Sequence, residues 1–219
     1  MYTSPLLLSF QVAIVATTFA ALFGILIGLL LSKPFFGRDL ADVIVTAPIV
    51  LPPTVLGYYV LVLLGRQSPI GHAFEALTGS PIVFTRTGAT IAAFIGALPL
   101  TTKSARAALE SVDYRLVLAA RTLGAGPVRA FVTVHLPLAA RGILAGTMLG
   151  FARSLGDFGV TLMVAGDIPG QTQTASLAIY DALQAGRDGD AAFLVGFLTL
   201  LSGGLLYAIT KLTGRADAR

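Results

Sequence analysis

The sequence predicts an all-α membrane protein. Three observations predict it. Of the 219 residues, 55% are hydrophobic and only 12% charged. Long uncharged apolar stretches recur along the chain, and lysine and arginine gather in alternate connections between them. A soluble domain carries about 25% charged residues, so this composition, with a mean hydropathy of +0.84, points to lipid as the solvent. In lipid a segment must satisfy its own backbone hydrogen bonds, which within one segment only a helix does. Cysteine is absent, which excludes disulfides and thiolate metal sites. No acidic or basic tail is long enough to suggest a nucleic-acid partner.

Five spanning helices are predicted in one domain covering 1–219, over about 6–31, 43–64, 87–106, 139–165 and 191–211. The first apolar run, Leu6–Leu31, exceeds the ~20 residues that cross a bilayer. Nothing before Lys33 is charged, so the run reads as a retained helix and not as a cleaved leader. The second, Val43–Leu64, is uncharged between Asp42 and Arg66. The third apolar stretch, Thr87–Thr102, is shorter and extends past one end. The fourth, Gly142–Ala165, is apolar apart from Arg153 and Asp157, and the fifth, Ala191–Thr210, ends at Lys211. A sixth crossing arises if Pro81–Phe84 or Leu177–Leu183 dips into the membrane.

Five spans sort the basic residues onto two sides. One side receives Lys33, Arg38, Lys103, Arg106, Arg115, Arg121, Arg129, Arg141, Lys211, Arg215 and Arg219; the other receives Arg66, Arg86 and Arg187. The richer side is cytoplasmic, so the N-terminus is expected outside and the C-terminus inside. Pro48, Pro52, Pro53 and Pro99 lie within spans, where proline frees carbonyls and kinks a helix. Gly24 and Gly28, four apart, suit close helix packing.

The longest cytoplasmic connection, about 107–137, is neither polar nor low in complexity. Asp113 can cap a helix running to Leu123. Gly124 suits the position after its end, and Pro127 can start a second helix. Leu136–Pro137 closes the unit before the next span. Such a helix–turn–helix exposes an apolar patch and wants a partner.

The stretch Leu118-Ala119-Ala120, Gly124, Val134, Leu136-Pro137 resembles the cytoplasmic motif of permeases from binding-protein-dependent ATP-binding-cassette (ABC) importers: Glu-Ala-Ala, three residues, Gly, nine residues, Ile, one residue, Leu-Pro. The spacing holds throughout, with Leu118 in place of Glu and Val134 in place of Ile. Leu51-Pro52-Pro53-Thr54-Val55-Leu56-Gly57 and Phe151 to Gly159 are similar to the second- and fourth-helix signatures of molybdate permeases, with Asp157 where Glu is commoner. The resemblance implies a type I ABC importer permease fold. It implies that Asp113, Leu118, Ala119, Ala120, Gly124, Val134, Leu136 and Pro137 form a coupling unit. It further implies pairing with a second copy, docking of two cytoplasmic ATP-binding subunits that hold ATP and magnesium, and delivery by a periplasmic or extracellular oxyanion-binding protein. The location implied is the bacterial or archaeal inner membrane, the ion molybdate, with tungstate or sulfate as related alternatives.

Arg153 and Asp157 are the two charges within a span and share a helix face. A charge at bilayer depth costs ~2.5–3.5 kcal/mol, so it faces the bundle interior or a cavity. An internal ion pair is the simpler reading. The functional one has them border the oxyanion path, with Ser154, Thr161 and Thr174 as hydroxyl donors. His72 and His135 stand apart, without carboxylate neighbours, and read as surface residues rather than ligands. The spacing from Gly96 to Lys103-Ser104 does not fit a phosphate loop, because Thr102 stands where its second glycine belongs. The chain therefore reads as binding no cofactor of its own. An intramembrane enzyme would need a cluster of ionisable groups, and Arg153 with Asp157 is a poor set. A sensory or scaffold protein would give no reason for the loop spacing.

Overall fold

The computed structural model describes residues 3–214, and among them every regular element is helical. Helix α1 (Thr3–Leu31) is long and apolar enough to cross a membrane. The second expected span is not one helix. It divides into α2 (Arg38–Val50) and α3 (Pro53–Leu64), with a bend of 115° between them. Pro52 and Pro53 lack the N–H groups that would continue the ladder, and Leu51 and Pro52 turn extended (ψ 137° and 136°). Ionic contacts then fix α2: Asp42 lies 2.8 Å from Lys103 and 3.4 Å from Arg106.

Helix α4 (Pro69–Thr78) is a short amphipathic helix capped by Ser68. Residues 81–85 form no helix. Their chain folds against the end of a later helix, with Phe84 donating its amide to the Val164 carbonyl at 2.9 Å. Helix α5 (Arg86–Glu110) follows, started by Thr85, whose hydroxyl accepts from the Gly88 amide. It covers the third expected span but is not among the three helices long and apolar enough to cross a membrane, four if the α2–α3 pair counts as one. The reason is its surroundings. Gly88, Ala89, Ala92, Ala93, Gly96, Ala97, Thr101 and Ala105 are buried against protein, so α5 does not need lipid-facing bulk.

Helix α6 (Tyr114–Thr122) is followed by α7 (Pro127–Ala130), a π-helical turn at Phe131–His135, and α8 (Leu136–Leu155). Leu136–Pro137 brings no break in the helical course. The helix runs on through it, because the π turn lets the Leu136 amide reach the Phe131 carbonyl just where Pro137 offers no N–H. The fourth expected span breaks after α8 and resumes as α9 (Gly159–Ala165). Leu177–Leu183 lies in α10 (Ala175–Gln184), whose 10 residues reach about 15 Å, too short to cross alone. The chain ends its described part in α11 (Asp188–Gly214), which carries the fifth expected span.

Two glycine rows clamp α5. A Cβ on Gly24 would stand 2.5 Å from the Thr101 hydroxyl, and one on Gly28 would stand 3.0 Å from the Arg106 amide. Thr101 also donates to the Ala20 carbonyl at 2.8 Å. From the other side, a Cβ on Gly142, Gly146 or Gly150 would meet Ala108, Ser104 or Thr101 at 2.7, 2.1 and 2.8 Å. Small residues thus let α1 and α8 approach α5 closely enough for backbone contact.

Candidate functional site

The break between α8 and α9 holds the two charges expected within a span. Arg153 sits in the last turn of α8, and Asp157 lies beyond the helix end. The Arg153 guanidinium donates to Asp157 Oδ1 at 2.9 Å. Asp157 Oδ2 accepts from the Thr161 amide at 3.0 Å and from its hydroxyl at 2.6 Å. One carboxylate therefore anchors the arginine and satisfies a free N–H at the start of α9. Asp157 is 2% exposed, whereas the Arg153 side chain is 35% exposed. The guanidinium lies over Gly96 of α5, its carbon 3.6 Å from where a Cβ would stand, an ordinary van der Waals distance. Gly159 is tighter, since a Cβ there would stand 2.6 Å from the Pro53 Cβ, so only glycine admits the proline this closely.

The hydroxyls expected beside the path are buried within the chain. Ser154 donates to the Ala93 carbonyl at 3.4 Å and receives the Thr17 hydroxyl at 3.5 Å. Thr161 is 1% exposed and committed to Asp157. Thr174 stands at the N-terminus of α10, buried, and its hydroxyl has no hydrogen-bond partner. Sequence reasoning missed Gly96 and Thr17. Gly96 carries a signal, a glycine among buried alanines, but only the fold sets it opposite Arg153.

The second region is the α6 unit. Asp113 caps α6 by accepting the Arg115 amide at 2.9 Å. Gly124 has φ +89°, the left-handed conformation that favours glycine, and Pro127 opens α7. Val117 is buried beneath the unit, while Leu116, Leu118, Leu123 and Val128 are exposed, Leu123 at 88%. Ala119 is exposed and Ala120 half-buried beside them. Val134 and Leu136 are half-buried and Pro137 exposed. His135, expected at the surface, is half-buried; its Nε2 lies 3.0 Å from the Leu109 carbonyl and its ring packs on Phe131. That contact seats the unit on the end of α5.

Between α9 and α10 the chain makes a tight turn. Thr172 accepts the Ile168 amide at 3.1 Å and donates to the Gly166 carbonyl at 3.2 Å. Arg86 donates to the Gly170 and Gln171 carbonyls, both at 3.2 Å. Burial holds the Asp167 carboxyl in this turn above its ordinary range, despite a hydrogen bond with Gln173.

Comparison with known proteins places this geometry. Residues 20–212 match the family described as binding-protein-dependent transport system inner membrane component. The chain is 44% identical over 190 residues to the molybdenum transport system permease protein ModB of Escherichia coli K12, covering 86% of this chain and 83% of that one. It is 39% identical over 211 residues to the putative molybdenum transport system permease protein YvgM of Bacillus subtilis, covering 96% and 93%. Among solved structures, a bacterial alginate ABC transporter in complex with an alginate pentasaccharide-bound periplasmic protein superposes with a TM-score of 0.74 at 15% identity, covering 98% of this chain and 79% of that one.

Proposed function

The chain belongs to the binding-protein-dependent transport system inner membrane components, and from that membership we propose how it works. It is the permease subunit of an ABC importer for molybdate, a transport component of the inner membrane and not a catalytic one. The observation that carries the ion is the 44% identity to the E. coli molybdenum permease across most of both chains.

Five crossings carry the path: α1, the bent α2–α3 pair, α5, α8 with α9, and α11, with the N-terminus outside and the C-terminus cytoplasmic. Two copies enclose the path. Two ATP-binding subunits, holding ATP and magnesium, seat on the exposed apolar face of α6 and its flanks, from Asp113 to Pro137. An outer oxyanion-binding protein delivers the ion. The half-exposed Arg153 borders the path and supplies positive potential at the bilayer interior. Asp157 tempers it, and a conduit needs this, since an ion held too tightly does not leave. Ser154, Thr161 and Thr174 form the wall behind the arginine, Thr161 by holding Asp157. ATP-driven approach of the two α6 units opens the path outward, and hydrolysis resets it; nucleotide drives this only by binding the two states unequally.

The test is uptake into proteoliposomes by the assembled complex, with molybdate, tungstate and sulfate in competition. Molybdate uptake that requires ATP and resists excess sulfate supports the reading. Full-rate uptake with no nucleotide-hydrolysing partner overturns it, and preferential sulfate uptake overturns the ion.

A further inference from the structure

We propose that the groove between α1 and α5 is a binding site for an anionic membrane phospholipid, with the lipid phosphate on Arg86 and an acyl chain along the phenylalanines below. The groove encloses about 460 Å³. Phe23 and Phe94 meet edge to face at 6.0 Å on its floor. Phe19 and Ile91 line its sides, and Phe19 and Phe23 are 50% and 45% exposed. Thr87 and Thr90 lead up to Arg86 at its end. A groove lined this way at membrane depth meets hydrocarbon. Its selectivity lies at the end.

Arg86 spends two guanidinium nitrogens on the Gly170 and Gln171 carbonyls. These are neutral acceptors, so its charge is not cancelled. Among the described residues no carboxylate lies within ion-pairing distance of it, in contrast to Arg66 with Glu75 at 3.2 Å and Arg187 with Asp181 at 2.6 Å. The remaining N–H groups present a planar fork that matches phosphate oxygens. An apolar protein surface laid here would bury that cation without a counter-charge, which is costly; a lipid brings its own anion. The same guanidinium pins the turn after α9, so a phosphate on Arg86 would brace that turn as well.

The chain has no tryptophan, which makes the test direct. Phe94→Trp places a sole indole on the groove floor, and Leu200→Trp places one on the 80% exposed surface of α11. The full chain is reconstituted in mixtures of phosphatidylglycerol and phosphatidylcholine, one of them brominated, and quenching is read. One added cation near a membrane surface predicts about fivefold preference for phosphatidylglycerol at the groove indole. Preference near unity is expected at the α11 indole, and also at the groove indole once Arg86→Gln is added. Equal preference at both positions, or a preference that survives Arg86→Gln, overturns the site. Absence of quenching in the Phe94→Trp variant overturns it too, showing a protein-covered face. Symmetric vesicles present both lipids to both sides, so the result does not depend on the orientation or transport proposed above.

Discussion

The Arg153 guanidinium reaches Asp157 at 2.9 Å across the point where α8 stops. The four-residue spacing that would align the pair on a continuous helix here bridges a break at Gly156. Because Asp157 also takes both polar hydrogens of Thr161, one carboxylate joins the end of one helix, the start of the next and the Arg153 guanidinium.

Asp157→Ala is expected to release all three contacts. The loss of a buried acceptor costs about 1–3 kcal/mol, read as a lower unfolding temperature in detergent. Uptake should fall with it, since the arginine is no longer held over Gly96. Arg153→Gln separates the two effects: uptake should drop about tenfold or more, a 1.4 kcal/mol change per decade, with insertion intact by alkaline extraction. Wild-type uptake by Arg153→Gln would remove the arginine from the path.

Much of the α6 unit is legible in the sequence, because caps and turns are local: Asp113, Gly124 and Pro127 act within a few residues of themselves. The α2–α3 break is half legible. Prolines announce a kink, but its 115° size depends on α2 binding Lys103 and Arg106, contacts remote in sequence. Helix α5 shows why hydropathy alone underrates a central helix, two of whose faces are packed by glycine rows. The hydroxyls of Ser154 and Thr161 illustrate the limit. A sequence gives their depth, but not whether they face α5 or the path.

Asp167 predicts a pH dependence. Burial raises its folded-state value above the ordinary 3.8. Between those two values the folded chain binds the proton more tightly than the unfolded chain, so stability falls as pH climbs through that window, and the penalty is complete above it. Asp167→Asn carries no such penalty. It should exceed wild type in unfolding temperature at neutral pH, with the gain fading below about pH 4. A difference that is constant with pH would show that ionisation is not the cause.

Gly124 is required for its conformation and not for space. Nothing lies within 4 Å of a Cβ there, yet φ is +89°. Gly124→Val should therefore distort the turn after α6, at about 1–2 kcal/mol of backbone strain, and weaken both capture of the ATP-binding partner and uptake. Gly126→Val is the matched control, since Gly126 is equally open but has φ −62°. Equal effects at both positions would mean that the turn geometry does not matter to docking.

The seam between α5 and α8 gives the sharpest stability test. A Cβ on Gly146 would stand 2.1 Å from the Ser104 Cβ and 2.7 Å from its hydroxyl, so Gly146→Ala must push the helices apart. Overpacking of this kind costs about 1–3 kcal/mol. Ser104→Gly removes the obstructing atoms, so the double variant should recover part of that loss, a favourable coupling of about 0.5–3 kcal/mol. On α11, Gly203 has nothing within 4 Å of its Cβ position; Gly203→Ala should be neutral or stabilise by up to about 1 kcal/mol through helix propensity. Unfolding in mixed micelles reads all four variants. If Gly146→Ala proves as mild as Gly203→Ala, or if Ser104→Gly fails to rescue it, α5 and α8 are not in backbone contact at this level. The support that positions Gly96 beneath Arg153 would then have to come from α1 and α9.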